Sequence, residues 1–139
     1  MPEAKKVTKV AIVVSEGTFD KAMESLMIAN TAASMGMEVH IFHTFFGLKL
    51  VTKTANPKAP GMYRLFTGMF KKKMLAVGVE GYPAQKKMAL ELGVKMYACS
   101  TSMGVMGVKQ EDLDPGVIVL GAAAFLNIAA DTDMQYFIG

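Results

Sequence analysis

Cysteine occurs once in the 139 residues, at Cys99. A lone thiol cannot close an internal disulfide, which excludes the disulfide-stapled secreted scaffolds and makes a reducing, cytoplasmic setting the expected one. The opening MPEAKKVTKV lacks the apolar centre of a secretory signal. Long apolar runs are scarce as well. The longest, 117–130, contains Asn127 and the small pair Gly121-Ala122, and it falls short of the roughly 20 residues that a bilayer span takes; no membrane span is expected. Charge of one sign is also in short supply, with 15 basic residues against 12 acidic ones for a net +3. No nucleic-acid recognition motif is present, so nucleic acid is not an expected partner. Neither GxGxxG nor GxxxxGK[ST] occurs, and there is no internal repeat, low-complexity tract or interdomain linker.

What is present is apolar residue in quantity, 52% of the chain. That length and composition suit one domain over 1–139 with a well-buried core, and they leave apolar surface for another subunit to cover, so a homo-oligomer is expected. Residues 10–14 form a continuous β-favouring run rather than an alternating one, the mark of a strand covered on both faces. Phe19, Ala22, Met23, Leu26, Met27 and Ala33 then recur at helical spacing, with Thr18 as N-cap and Gly36 as stop. Residues 39–42 predict a second strand. From about 51 to 82 the rhythm breaks into an insertion, with turns at Asn56-Pro57 and Ala59-Pro60-Gly61 and one helical stripe through Met62, Phe66, Met69 and Lys73. The spacing after Pro83 predicts a helix ended by Gly93, then strands over 94–99, 117–120 and 134–138, a short helical piece over 103–107 and a helix over 122–130. Strands separated by crossovers of helix length make βαβ units, hence an α/β fold of three layers, α/β/α, around a mainly parallel five-stranded sheet.

In such a sheet chemistry collects at the carboxyl ends of the strands, which is where Cys99 falls, ahead of Ser100-Thr101-Ser102 and a helix starting near Met103. There a thiol serves as nucleophile or sulfur carrier, whereas in mid-strand it is inert packing. Shifting an ordinary thiol toward the thiolate at neutral pH takes roughly 2 kcal/mol of anion stabilisation. A helix terminus commonly contributes about 0.3–1 kcal/mol, so hydrogen bonds from Ser100, Thr101 and Ser102 would have to help. His43, just past the second strand, is placed to reach the same rim as base or hydrogen-bond partner, against the plainer reading of a satisfied polar residue; His40 lies inside the strand pattern. Ser15-Glu16-Gly17-Thr18 occupies the first strand-to-helix turn, where a helix-capping turn is the stronger reading over a phosphate cradle. The methionines fall mostly on core faces, where thioethers fill gaps, and no metal set is expected. The basic, aromatic stretch 63–73 reads as a subunit interface or lid, or else as a contact for a membrane surface or acidic partner.

Three stretches together resemble the DsrE/DsrF-like family, in its small DsrE-like subgroup sometimes labelled peroxiredoxin-like. They are VVSEGTFDKA at 13–22, GMEVHIFHTFFGL at 36–48 and LGVKMYACSTSMGVMG at 92–107. The resemblance covers most of the chain and matches the middle insertion only loosely. It implies a three-layer fold, trimers or hexamers, and intracellular sulfur transfer through donor and acceptor proteins, with Cys99 as the sulfur-carrying cysteine and no cofactor. His43 stands where the subgroup pattern has an aromatic residue. Without a second cysteine no internal resolving disulfide can form, which argues against a self-contained peroxidase. The expected function is therefore a sulfur carrier or sulfurtransferase that holds sulfane sulfur as a Cys99 persulfide, with Ser100, Thr101 and Ser102 as hydrogen-bond candidates and Phe45, Phe46 and Met103 walling the pocket. Two rivals remain open: a non-catalytic module that binds a nucleotide or other small ligand between the Ser15, Gly17 and Thr44 loops, and a structural oligomer subunit.

Overall fold

The computed structural model describes residues 8–139. The first apolar run forms β1 (Lys9–Val14), and later runs supply β2 (Glu38–His43), β3 (Lys95–Cys99), β4 (Ile118–Leu120) and β5 (Met134–Ile138). All pairings are parallel, in the spatial order β4-β3-β2-β1-β5. A parallel sheet must be covered on both faces, which is why its central strands read as continuous apolar runs.

The covering helices are α1 (Phe19–Ser34), α2 (Thr67–Ala76), α3 (Tyr82–Glu91), α4 (Ser100–Met106) and α5 (Ala122–Ala130). From β1 to β4 the chain steps across the sheet in one direction, and from β4 it returns past β1 to lay down β5. Right-handed crossovers then put the first helices on one face and α5 on the other. The packing agrees. Val10, Ile12, Val14, Ile41, Met96 and Ala98 meet Phe19, Met23 and Leu26 of α1 and Ala89 of α3, while Ala11, Phe42, Tyr97 and Cys99 meet Phe125 of α5. This is the expected three-layer α/β/α arrangement, with a fully parallel sheet.

Local chemistry explains most boundaries. Gly36 takes φ +85° just after α1, a conformation that costs glycine little. Thr18 sits at the N-cap of α1 in an extended conformation, but its side chain makes no capping bond. The Phe19 amide is instead taken by the Lys58 carbonyl at 2.7 Å. A distant loop thus satisfies the first amide of α1, while the buried Thr18 hydroxyl finds no hydrogen-bond partner. On the α1 flank, Asn30 Nδ2 donates to the Gln85 carbonyl at 3.0 Å and to Gln85 Oε1 at 2.8 Å, fixing α1 against α3.

Between β2 and α3 the chain makes two 3-10 turns, Phe45–Val51 and Gly61–Phe66, before α2 begins at Thr67. The stripe expected through Met62, Phe66, Met69 and Lys73 is accordingly split, its first part lying in a 3-10 turn of different pitch. The turn Phe45–Val51 approaches β1 so closely that a Cβ on Gly47 would lie 2.3 Å from the Val14 carbonyl oxygen. It is held from below by a buried group: the Tyr82 hydroxyl donates to the Leu50 carbonyl, and Lys86 Nζ pairs with Asp114 Oδ2 at 2.7 Å.

Candidate functional site

Cys99 is the last residue of β3, opposite Leu120 of β4. α4 begins at the next residue, Ser100, rather than near Met103, so Ser100, Thr101 and Ser102 are the first turn of a helix and not a separate loop. Cys99 is the N-cap of that helix. α5 starts in the same neighbourhood, since a Cβ on its N-cap Gly121 would lie 3.6 Å from Ser100 Oγ. The amino ends of two helices, each carrying partial positive charge, therefore meet beside the strand end that bears the thiol. The sulfur itself makes no capping hydrogen bond to the α4 amides.

Alternation along β3 decides which way the thiol points. Tyr97 and Cys99 face the α5 side, and Met96 and Ala98 face the α1 side. Cys99 is only 6% exposed. It shares a small aromatic cluster with Phe42, Tyr97 and Phe125, in which the Phe125 ring stacks on Phe42 with centroids 4.4 Å apart and tilts against Tyr97 at 6.1 Å. Phe125 is the one fully buried side chain of α5. The roof over the thiol thus has one deeply buried aromatic anchor, with Ile128 and Ala129 packed more shallowly beside it.

The other candidates separate into groups. His43 does not reach the thiol: β2 alternation turns it to the opposite face, where its Nδ1 donates to the Tyr97 carbonyl at 3.1 Å. Burial, reinforced by nearby Lys86 and only partly offset by that bond, lowers its pKa to about 4, so it is neutral at physiological pH. Met103 also lies in the α1-side core rather than walling a thiol pocket, and Ser102 is buried, whereas Ser100 and Thr101 are exposed. Phe45 and Phe46 project into solvent. The loops carrying Ser15, Gly17, Thr44 and Phe46 do come together at the carboxyl rim: the Thr44 amide donates to the Val14 carbonyl at 2.9 Å, and a Cβ on Gly17 would strike the Phe46 carbonyl oxygen at 2.5 Å. Of these, Gly17 lines a cleft of about 960 Å³ whose wall also carries Lys49, Lys53, Lys58 and Arg64.

A strand end followed at once by a helix, a parallel sheet in this order and one thiol at that junction can be compared with known proteins. The sequence matches the model of the DsrE/DsrF/DrsH-like family over residues 6–61 and 56–137. The chain belongs to this family. Its two matched stretches meet inside the segment between β2 and α3, where the notable irregularity of the fold lies. Among curated relatives, the chain is 30% identical over 155 residues to the sulfur carrier protein DsrE2 of Allochromatium vinosum, covering 94% of this chain and 98% of the relative. It is equally 30% identical, over 154 residues, to the uncharacterized protein YrkE of Bacillus subtilis, with 94% and 96% covered. Among solved structures, the ychN protein of E. coli superposes with a TM-score of 0.69 at 12% identity, over 94% of this chain and 98% of that one. The protein MTH1491 of Methanobacterium thermoautotrophicum gives 0.61 at 12% identity, over 93% and 98%. These two structures establish that the fold is the one adopted by this DsrE-like chain.

Sequence reasoning missed the aromatic roof. The signal was available in the strand alternation, because His40 and Phe42 on β2 and Tyr97 and Cys99 on β3 share one face. On that face His40 links Glu38 Oε1 and the Tyr97 hydroxyl, each at 2.7 Å, at the end of the sheet remote from the thiol.

Proposed function

We propose that this DsrE-like protein is a sulfur carrier in which Cys99 holds sulfane sulfur as a persulfide and passes it to a partner thiol. The observation that carries the proposal is the sole cysteine, placed at the β3–α4 junction of a chain 30% identical to a sulfur carrier protein. In the loading step the Cys99 thiolate attacks the terminal sulfur of a donor persulfide. A new S–S bond forms at Cys99, the donor's S–S bond breaks, and the donor leaves as a thiolate with the bonding pair. In the unloading step an acceptor thiolate attacks the outer sulfur and Cys99 leaves as thiolate, so the relay is redox-neutral overall. With no second cysteine, a persulfide here has no internal thiol to resolve it and waits for a protein partner.

The burial of Cys99 makes opening of α5 part of each step. Only Phe125 anchors that helix deeply, and Leu126 at its surface and Phe137 on β5 are exposed, the latter by 80%. That apolar side is the face we assign to contact with further copies of the chain, in the trimer or hexamer the family implies, working in a reducing cytoplasm. Intact mass spectrometry after incubation with a low-molecular-weight persulfide tests the relay. Increments of one sulfur mass that are absent from Cys99→Ser and lost on adding an acceptor thiol support it; an unlabelled wild-type protein in its native assembly refutes it.

A small-ligand role is the second reading, favoured by the cleft beside Gly17, whose Lys49, Lys53, Lys58 and Arg64 outnumber its carboxylates Glu111 and Asp112 and have no ion-pair partner among the described residues. Saturable thermal stabilisation by a phosphate-bearing ligand, without sulfur labelling, would favour it over the relay.

A further inference from the structure

Between Glu38 and Glu80 the chain has no carboxylate side chain, while Lys58, Arg64, Lys71, Lys72 and Lys73 are grouped in and around one short stretch of it. This stretch, 61–77, buries only Thr67. Its inner side is accounted for: Tyr63, Phe70 and Met74 look across an apolar groove of about 800 Å³ at Phe19, Met23 and Met27 of α1. Its outer side is not. Leu65 is 88% exposed and Met62 86%, and Phe66, Met69 and Leu75 are exposed alongside them. Scattered exposed apolar residues are ordinary, but a set gathered on one short segment marks a contact surface.

The sheet topology removes one occupant. The segment packs on α1, whereas Cys99 lies under α5 on the opposite face of the sheet, so 61–77 is not a lid over the thiol. Charge disfavours a second: a two-fold contact of this patch with its own copy would bring Arg64 and Lys71–Lys73 up against the same cations with no carboxylate of the segment to pair them. Apolar side chains that protrude, interleaved with lysines whose flexible stems reach outward, are instead the pattern of a segment lying in the headgroup region of an anionic bilayer. No helix among the described residues is long and apolar enough to cross a membrane, so the contact would be peripheral.

We propose that the segment 61–77 docks the protein on anionic lipid, with Met62, Leu65, Phe66 and Met69 seated at the acyl boundary and the exposed Arg64, Lys72 and Lys73 on the phosphates. This orientation turns the α1 side toward the bilayer and leaves the α5 side, with Cys99, facing away from it. It holds whether or not Cys99 carries sulfur.

Co-sedimentation of the full chain with vesicles tests this, using phosphatidylglycerol–phosphatidylcholine mixtures against phosphatidylcholine alone. Binding is expected to be at least about tenfold tighter on the anionic vesicles and to weaken with added salt, since each basic residue near such a surface contributes about a fivefold effect. Replacing Arg64, Lys72 and Lys73 together by Gln should weaken it about a hundredfold on the same scale, and Leu65→Glu with Met62→Glu should abolish it. All five positions are at the surface of the segment, and unchanged far-ultraviolet circular dichroism and urea midpoints would show that the variants fold. Equal binding to both vesicle types, or none to either, overturns the proposal. So does an assembly that dissociates in Leu65→Glu while wild-type protein ignores the vesicles, since that result gives the patch to another copy of the chain.

Discussion

Replacing Phe125 by Ala should convert Cys99 from a sequestered thiol into a reactive one. Phe125 is 3% exposed and is the only side chain by which α5 is fully buried. Burying a phenylalanine is worth about 1.5–3 kcal/mol, and its stacking on Phe42 and tilted contact with Tyr97 add about 0.5–1.5 kcal/mol per pair. Phe125 is therefore the largest single contributor to holding α5 down, beside the half-buried Ile128 and Ala129. If alkylation requires α5 to lift and closing is fast relative to chemistry, the observed rate is the rate of the free thiol multiplied by the open fraction. Removing about 3 kcal/mol from the opening cost raises that fraction about a hundredfold or more, at 1.4 kcal/mol per factor of ten. The assay is the iodoacetamide rate at fixed pH, divided by the rate of the same chain in denaturant, for wild type and Phe125→Ala. Urea unfolding of both proteins measures how far global stability falls, because a rate gain equal to the gain in globally unfolded protein reflects whole-molecule unfolding instead. A rate in Phe125→Ala within about threefold of wild type, or a wild-type rate already equal to that of the unfolded chain, would refute the reasoning that α5 gates the thiol.

Two further outcomes follow from buried groups away from the thiol. Asp114→Ala should destabilise the protein by about 3–5 kcal/mol, because the carboxylate 2.7 Å from Lys86 Nζ is its ion-pair partner and their side chains are only 14% and 15% exposed; urea denaturation reads the loss, and a change under 1 kcal/mol contradicts it. His43 has a pKa near 4 in the folded state and an ordinary value of 6.5 when unfolded. Between those values the unfolded chain binds a proton that the folded chain refuses, so stability falls as pH drops from about 6.5 to about 4, by about 3 kcal/mol from this group. In His43→Leu the stability measured against pH should be flatter than wild type across that window, and parallel curves for the two proteins would show that His43 does not titrate this way.

Much of this architecture can be read without coordinates because its determinants are local. The run at 10–14 reports two-sided burial, Gly36 reports the end of α1, and Pro83 and Gly93 bracket α3, each through a residue acting on its immediate neighbours. The site was harder. Cys99 lies at the carboxyl end of β3 as expected, but the expected company of His43 and Met103 faces the other way. A count of positions in steps of two along β2 and β3 would have separated His43 from Cys99, whereas Met103 lies on α4, beyond the reach of that count. Nothing comparable in the chain announces that Lys58 caps α1 with its carbonyl, or that Asp114 neutralises Lys86, because both contacts join segments far apart in sequence.

The amino-acid order by itself determined the succession of strands and helices, the parallel sheet and the strand-end position of the only thiol, since hydrophobic period and turn residues operate over a few positions. The tertiary structure alone decided what covers that thiol and what the middle segment faces. Those outcomes depend on the hand of the crossovers: the return from β4 past β1 carries α5 to the Cys99 face, and the earlier crossovers carry the basic, apolar segment to the opposite side.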